Sequence, residues 1–512
     1  MFAAEPEQKQ APVKDHLQNH YKLYGFIRNY FIYDSRESKS GTSDLFYYMP
    51  LDSKMNEDKT LDLNDHGSFR FVALTSRVGL DVTGYQMGDV HFGAKFEADF
   101  YAGLSSSSNA NATKYFPGNT SISGTAQMRL RQAYATVTWK DLPLNDSEKA
   151  SVGLKIGQAW HPMGADFPHV FSLEVGAPFG PFSRTPLVQM DANLGKNWVV
   201  TAAALWQMQY NSQGPIGASA IYMKYGMTPE MYAAVAYKNN GFLVRAGADL
   251  LSIKPRVYGQ VDGVTVKVSD RKTSLLYYIY SQYNKGKFGL KLKSTFGEGG
   301  EHMNLMSGYA KVGENADGSW EYASLRSSST WLSMIYGKKW QGVLMLGYTK
   351  TLGLADPLEG NIATSNVYFC GNGFSNINQI YRINPQVVYN IGKLNLGLEY
   401  QWTAVQYGKY ITDDAGNKYL TFIGGDQPLT KIHNPKITDG SSIVVVKESY
   451  GNAFVPFLVD SYEYVYVIDY RAWSGDLANF VVTNGIDDVL FLNVVSNTST
   501  GDRLRELASI IK

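Results

Sequence analysis

Apolar and polar side chains alternate with a period of two in several segments of this chain. From Leu394 to Trp402, every second residue is leucine, tyrosine or tryptophan, and the residues between them are polar or glycine. The segments Val90 to Phe100, Phe242 to Leu250 and Phe288 to Phe296 repeat this pattern. Successive side chains of a β-strand point to opposite faces, so the pattern predicts strands with one apolar and one polar face. A soluble sandwich and a membrane barrel both satisfy it.

The spacing of these strands separates the two alternatives. Fifteen strands are predicted, at residues 21–34, 69–83, 90–102, 126–139, 150–161, 187–194, 198–210, 220–238, 241–253, 273–283, 286–297, 329–340, 342–352, 377–390 and 394–408. Long and short connections alternate between them, as in bacterial barrels with external loops and periplasmic turns. The fold class is therefore an all-β transmembrane antiparallel barrel of the sixteen-stranded type. About fifteen strands are present, and such barrels close with an even number.

Composition excludes several other classes of protein. The chain has 512 residues, is 13% aromatic and 18% charged, and contains no apolar run long enough for a membrane helix. The net charge of +1 predicts no nucleic-acid partner. Cys370 is the single cysteine, so no intramolecular disulfide or thiolate zinc cluster can form. No cofactor is predicted, and the polar residues 1–20 are expected to be a disordered periplasmic segment.

The pattern changes after about residue 410. Residues 442–447, 463–468 and 488–495 are continuous apolar runs, which are typical of buried parallel strands. Residues 450–460 are helix-like, and residues 502–512 form an amphipathic helix. We therefore expect a barrel over 21–410, followed by a partial α/β segment over 411–512.

Residues 20 to about 410 resemble the DcaP-like porins. The resemblance is carried by Tyr21 to Arg28, Ser76 to Leu80 and Gly176 to Arg184. It implies a trimeric diffusion channel of the bacterial outer membrane, surrounded by lipid, which passes small and often anionic solutes. A barrel that serves adhesion or structure without conducting is the other interpretation of the same segment.

Residues of about 419–512 resemble the C-terminal part of DHHW proteins, which are relatives of the SGNH hydrolases. Phe422 to Leu429, Val444 to Phe457 and Val465 to Arg471 carry this resemblance, which implies a nucleophile at Ser449. The Asp-His-His-Trp motif that would supply the base is absent, and serine is a weak nucleophile without one. No catalytic residue is therefore predicted, although an exported acyl-transfer or esterase-like protein is the alternative. A chimera, from gene fusion or misassembly with a join near 408–418, explains both resemblances.

The polar face of the barrel strands, formed by every second residue, supplies the candidate pore lining. Its predicted members are Arg77, Lys95, Glu97, Asp99, Arg129, Arg131, Lys155, Arg184, Arg245, Lys291, Lys293 and Arg382, together with Asp81, Asp249, Lys287 and Glu399. Cations predominate, which predicts an anion-preferring pore unless the charges only form cross-strand salt bridges.

Loop 162–186 occupies the place of the third external loop. It either folds inward as a constriction, with Arg184 beside Arg129 and Arg131, or lies on the surface. His161 and His169 lie near one another in this region, and no metal site is predicted for them. The interfacial aromatic girdles are expected at Trp139, Trp198, Trp206, Tyr210, Trp331, Trp340, Tyr400 and Trp402.

Overall fold

The computed structural model divides the chain into two compact units. One, the barrel unit, comprises Met1–Pro357 and Ile362–Tyr410, and the other, the C-terminal unit, comprises Leu358–Asn361 and Ile411–Lys512. The structure describes residues 20–40, 47–73, 75–102, 127–170, 176–355, 366–370, 374, 377–407, 427–493 and 501–511. The predicted periplasmic segment and the predicted join near 408–418 thus lie almost wholly outside the described residues. In the described part of the chain, no helix is long and apolar enough to span a membrane.

Twenty-four strands and one short α-helix, α1 (Ile221–Gly226), build the described part of the barrel unit. The strands are β1 (Tyr21–Phe26), β2 (Tyr30–Asp34), β3 (Ser38–Ser40), β4 (Tyr47–Pro50), β5 (Ser68–Val72), β6 (Arg77–Met87), β7 (Val90–Ala102), β8 (Gln127–Pro143), β9 (Lys149–Trp160), β10 (Arg184–Leu194), β11 (Trp198–Leu205), β12 (Glu230–Asn239), β13 (Phe242–Ile253), β14 (Tyr258–Val261), β15 (Val264–Lys267), β16 (Lys272–Lys285), β17 (Phe288–Glu298), β18 (Gly308–Glu314), β19 (Trp320–Gly337), β20 (Trp340–Leu354), β21 (Val367–Phe369), β22 (Ile377–Ile391), β23 (Leu394–Glu399) and β24 (Trp402–Tyr407). Two 3-10 helices, Pro162–Gly164 and Glu301–Met303, lie in the connections.

Antiparallel ladders join the long strands in chain order. They pair β1 with β6, then continue through β7, β8, β9, β10, β11, β12, β13, β16, β17, β19, β20 and β22 to β23 and β24. β23 and β24 both pair with β22, so they are two halves of one interrupted strand. Each strand that crosses the sheet once, interrupted or not, is here called a pass. Within the described residues, the ladders therefore confirm the fifteen passes predicted from the alternation.

The two faces of these strands differ as the alternation predicts. On β12, Glu230, Tyr232 and Ala234 are buried, whereas Met231 and Val235 are about half exposed. The same holds along the sheet, where the exposed apolar side chains include Phe92, Phe96, Met190, Phe242, Leu250, Phe296, Ile383 and Val387. An exposed apolar face opposite a buried polar face is the reverse of a soluble sandwich, and it is the arrangement of a barrel whose outer surface meets lipid.

Several predicted strand boundaries are wrong. Residues 220–229, which the sequence predicts as the start of a strand, form α1 and a turn, and the predicted strands 21–34 and 69–83 are each broken in two. β19 begins at Trp320, nine residues before the prediction, because its outer part pairs with β18 in a hairpin. Two further hairpins, β3 with β4 and β14 with β15, occupy connections that were predicted only as loops.

An apolar cluster lies on the polar-face side of the sheet. It combines strand residues such as Tyr278 and Trp331 with connection residues such as Met163, Phe179 and Met303, all of them nearly inaccessible to solvent. Side chains from connections can join this cluster only if the connections fold inward over the sheet. The barrel interior is thus partly filled by its own loops.

The C-terminal unit has a four-stranded sheet. Its strands are β25 (Leu429–His433), β26 (Ser442–Lys447), β27 (Tyr464–Asp469) and β28 (Asp488–Leu492). β26 pairs in parallel with β27 and β28, as the apolar runs predict, and β25 adds an antiparallel edge that the prediction missed. The helix-like segment is two 3-10 helices, Ser449–Ala453 and Val455–Leu458, and the α-helices are α2 (Leu477–Asn484) and α3 (Gly501–Ile510).

Candidate functional site

The connection between β9 and β10, residues 161–183, is here called loop 3. Its described residues, 161–170 and 176–183, lie against the polar face of distant strands. Asp166 forms an ion pair with Arg245 of β13, with 2.6 Å between Oδ2 and Nη1. On β17, Lys291 donates to the carbonyl of Phe167 at 3.0 Å, and Lys293 donates to the carbonyl of Met163. Loop 3 therefore crosses the inner side of at least two strands that are far from it in sequence.

Further residues of loop 3 are held in the same way. Arg382 of β22 donates to the carbonyl of Ala177 at 3.0 Å, and its guanidinium lies 4.9 Å from the centre of the Phe179 ring. The backbone N–H of His169 donates to Ser333 Oγ at 2.7 Å. Contacts on β13, β17, β19 and β22 place the loop across the interior, which is the arrangement expected of a constriction and not of a surface loop.

Arg131 stands at the centre of an ionic network on β6, β7 and β8. Its Nε lies 2.9 Å from Glu97 and its Nη1 lies 2.8 Å from Asp99. Arg129 pairs with Asp99 at 2.7 Å, and Arg77 is 3.5 Å from Glu97. Among the described residues, two carboxylates thus bind three guanidinium groups, so these five side chains together carry a net positive charge.

The remaining predicted cations lie nearby on the inner face. Lys95 pairs with Asp81 at 2.6 Å, and Lys155 lies over the ring of Tyr134. Arg184 is the first residue of β10, where it lies 5.0 Å from the ring of Trp160, and Arg131 lies 5.7 Å from the same ring. Arg184 and Arg131 thus both contact the ring of Trp160, while Arg129 binds Asp99.

Two predicted positions are wrong. Lys287 lies exposed in the 286–287 turn instead of on the inner wall. Trp331, assigned to an aromatic girdle, is 2% exposed and packs inside against loop 3, next to Gly180. The β17–β19 register pairs Trp331 with Lys293, and both side chains face inward. Trp198, Trp340 and Trp402 are 47% or more exposed, as a girdle requires.

A cavity of about 460 Å³ lies between loop 3 and the ionic network. Three arginines line it, Arg28, Arg77 and Arg131, together with Asp166 and the rings of Phe26, Trp160, Phe167, Phe182 and Trp331. Arg28 and Asp166 were absent from the predicted lining. Arg28 lies within the predicted strand 21–34, which in the structure is interrupted after Phe26, and Asp166 belongs to the loop. Its ion pair with Arg245, which is 79 residues away in sequence, places Asp166 on the inner side of the sheet.

His169 lies half-buried in loop 3 beside this lining. Burial and the neighbouring Lys291 ammonium lower the pKa of the His169 ring to about 4. The ring is therefore neutral at neutral pH and adds no charge to the interior.

Ser449 of the C-terminal unit begins the 3-10 helix that follows β26. Arg471 Nη1 donates to Ser449 Oγ at 2.8 Å, and Arg471 also binds Asp469 at 2.6 Å. An arginine stays protonated in proteins and cannot take a proton from the serine. Glu448 caps the 3-10 helix by accepting from the backbone N–H of Tyr450.

Comparison with solved structures shows that the barrel unit is similar in fold to an outer-membrane channel. The outer membrane channel DcaP of Acinetobacter baumannii aligns over 76% of this chain and 91% of its own, with a TM-score of 0.50 and 14% identity. An anion-selective porin from Comamonas acidovorans aligns over 75% of this chain and 89% of its own, with a TM-score of 0.41 and 11% identity. No curated protein sequence matches the chain.

The C-terminal part of the chain matches a family model. The model of the family described as DHHW protein matches residues 401–468. A DHHW family protein from Eubacterium siraeum aligns over 22% of this chain and 45% of its own, with 27% identity and a TM-score of 0.18. The chain therefore joins a barrel with the fold of the DcaP channel to a C-terminal segment that is similar to DHHW proteins.

Proposed function

We propose that the barrel unit is a passive channel of the bacterial outer membrane that passes small hydrophilic solutes and prefers anions. The observation that carries this proposal is the position of loop 3, which is bound across the polar face of four strands. A loop held inside a barrel narrows the passage and brings solutes close to the charges of the wall. The apolar outer face supports the membrane location, because it would be unfavourable in water.

The balance of charge on the inner wall supports the preference for anions. Most inner carboxylates are bound by cations, as in the pairs Lys95 with Asp81 and Arg245 with Asp166. In the described residues, Arg28, Lys155 and Lys291 form no ion pair with a carboxylate. An excess of fixed positive charge lowers the barrier for carboxylates and phosphates relative to cations.

Ion selectivity in a planar lipid bilayer tests this proposal. The full chain, purified in detergent, is inserted, and the reversal potential is measured across a gradient of KCl. We expect chloride to be preferred over potassium, and the preference to fall when Lys155→Gln and Lys291→Gln are combined. Lys196→Gln, in the exposed 195–197 turn, is the matched control and should change nothing. Preference for potassium would contradict the anionic channel, and the absence of conductance would favour a structural barrel.

We infer from the sequence resemblance to DcaP-like porins that the channel is a homotrimer. Native mass spectrometry of the detergent-purified chain should give three copies per assembly. A stable monomer under the conditions that support conductance would contradict this assembly.

We further propose that the C-terminal unit has no acyl-transfer activity. The hydrogen bond from Arg471 to Ser449 Oγ supports this. The Arg471 guanidinium is a hydrogen-bond donor, so it cannot act as the general base that would remove the proton of the serine hydroxyl. Hydrolysis of a nitrophenyl ester by the full chain, abolished by Ser449→Ala, would overturn it.

A further inference from the structure

Four titratable side chains from three distant parts of the chain meet inside the barrel unit. His161 is the first residue of loop 3, and His302 lies in the 3-10 helix that follows β17. Glu230 begins β12, and Asp249 is its diagonal neighbour on the inner face of β13. One possible ligand atom from each residue lies within 4.8 Å of the other three. We propose that this cluster binds one divalent first-row transition-metal ion, independently of whether the channel conducts.

Distances and burial support a shared centre. Glu230 Oε1 lies 2.9 Å from His161 Nε2 and 2.7 Å from His302 Nε2. Asp249 Oδ1 lies 3.6 Å from His161 Nε2. Each of the four side chains is only 1–2% exposed. In zinc sites, the metal lies about 2.0–2.2 Å from histidine nitrogens and carboxylate oxygens, so small shifts of these atoms would admit one ion.

Unused polar atoms point to a missing partner. Glu230 Oε2, Asp249 Oδ1 and His302 Nδ1 are buried and have no hydrogen-bond partner in the described part of the chain. Burying a carboxylate oxygen without a hydrogen-bond partner costs free energy. Two buried carboxylates side by side cost more, because their negative charges repel each other. A divalent cation cancels the charge of both carboxylates.

The ligand types define the class of metal. Two imidazole nitrogens with two carboxylate oxygens suit Zn²⁺ and its neighbours in the first transition row, whereas Ca²⁺ and Mg²⁺ favour sites made of oxygen alone. The sequence gives little sign of such a site, because Glu230 stands 69 residues from His161 and 72 from His302. His169, which is near His161 in sequence, is not part of this cluster.

The site also connects the metal to loop 3. His161 Nδ1 now accepts from the backbone N–H of Met163 and caps the 3-10 helix Pro162–Gly164. A neutral histidine that binds a metal through Nε2 carries its proton on Nδ1, where it can no longer accept from that N–H. Metal binding must therefore shift the first turn of loop 3, so the ion would act on the conformation of the loop.

Metal binding by the full chain tests the proposal directly. The protein in detergent is stripped with a chelator and titrated with Zn²⁺, with calorimetry and elemental analysis as readouts. We expect one Zn²⁺ per chain, and an affinity at least about tenfold lower in Asp249→Asn and in His302→Gln. His433→Gln is the matched control, since His433 is half-exposed in the C-terminal unit, and it should bind as the wild type does.

Two outcomes would overturn the proposal. The first is the absence of saturable binding near one ion per chain, which would leave the cluster a hydrogen-bonded network. The second is binding that Asp249→Asn and His302→Gln leave unchanged, which would place the ion elsewhere. If both variants fail to fold, Co²⁺ bound to the wild type decides, because buried mixed nitrogen and oxygen ligands give visible ligand-field bands. The absence of those bands would also overturn the site.

Discussion

Arg131 binds Glu97 and Asp99 at once, and all three side chains are 6% exposed or less. Removing one member of a buried ionic network leaves charges without compensation, which costs about 3 to 5 kcal/mol. We expect Arg131→Gln to lower the stability of the folded barrel by about that amount. The measurement is the temperature at which the barrel loses its heat-dependent mobility on a detergent gel.

The matched control for this network is an exposed ion pair. Lys149 and Asp141 form one at 2.8 Å, with more than half of each side chain exposed. Water screens such a pair, so Lys149→Gln should leave the transition temperature unchanged. An equal response of the two variants would contradict a special role for the buried network.

At the scale of the residue, the sequence predicts which side chains face inward and not which ones meet. The alternation of apolar and polar residues places Lys95, Glu97 and Arg131 on the polar face of the strands. In the structure, Lys95 pairs with a carboxylate of that face, and Glu97 pairs with Arg131. The pairing of Asp166 with Arg245 depends on the path of a loop, and no periodicity describes that path. The His161 cluster was missed for the same reason.

At the scale of the element, the short turns depend on residues that tolerate positive φ. In the β12–β13 hairpin, Asn240 has a φ of 46° and Gly241 a φ of 81°. A methyl group on Gly241 would overlap the backbone oxygen of Asn284. Gly286 of the next hairpin has a φ of 61°, but a methyl group there would meet nothing within 4 Å.

These two glycines make a matched pair of predictions. Gly286→Ala should cost only the unfavourable backbone conformation, about 1 kcal/mol. Gly241→Ala should cost clearly more, because the strand ladder must also move. Folding yield in detergent and the heat-dependent mobility shift measure both. Equal losses would contradict the close contact with Asn284.

Loop 3 is the element on which the passage depends. Asp166→Asn removes the ion pair that ties the loop to Arg245, while Arg245 keeps its positive charge. We expect a higher single-channel conductance and a stronger preference for anions, because the loop loosens and the wall gains net charge. Asp146→Asn, in the exposed 144–148 turn, is the control. An unchanged conductance in Asp166→Asn would contradict the idea that the Asp166–Arg245 ion pair holds loop 3 in the passage.

Elements with strong alternation could be predicted from the sequence, and irregular ones could not. β12 and β13 follow the predicted pattern closely, since one face must be apolar and the other polar. Residues 221–226 contain enough apolar and aromatic residues to suggest a strand, but tertiary packing against β13 favours α1, which buries Tyr222 and Met223. The edge strand β25 was missed because its alternation spans only five residues.

At the scale of the whole molecule, fifteen passes connected by antiparallel ladders form the barrel unit, and a parallel sheet forms the core of the C-terminal unit. Because neighbouring passes are antiparallel, β1 and the pass made by β23 and β24 run in the same direction. Alternation, connection length and apolar runs were enough to predict both architectures. The position of each long loop was not predictable, since its contacts come from strands far away in sequence.

The outer face of β22 gives the most direct test of the membrane barrel. Single cysteines in a Cys370→Ser background would replace Tyr381, Ile383 and Val387, which are 42–50% exposed, and Asn384, Gln386 and Val388, which are buried. A fluorophore on each is exposed to nitroxides attached to lipid chains. We predict quenching at the first three positions and little at the other three. Equal quenching on both faces of β22, or no quenching at any position, would contradict a barrel whose apolar face contacts lipid.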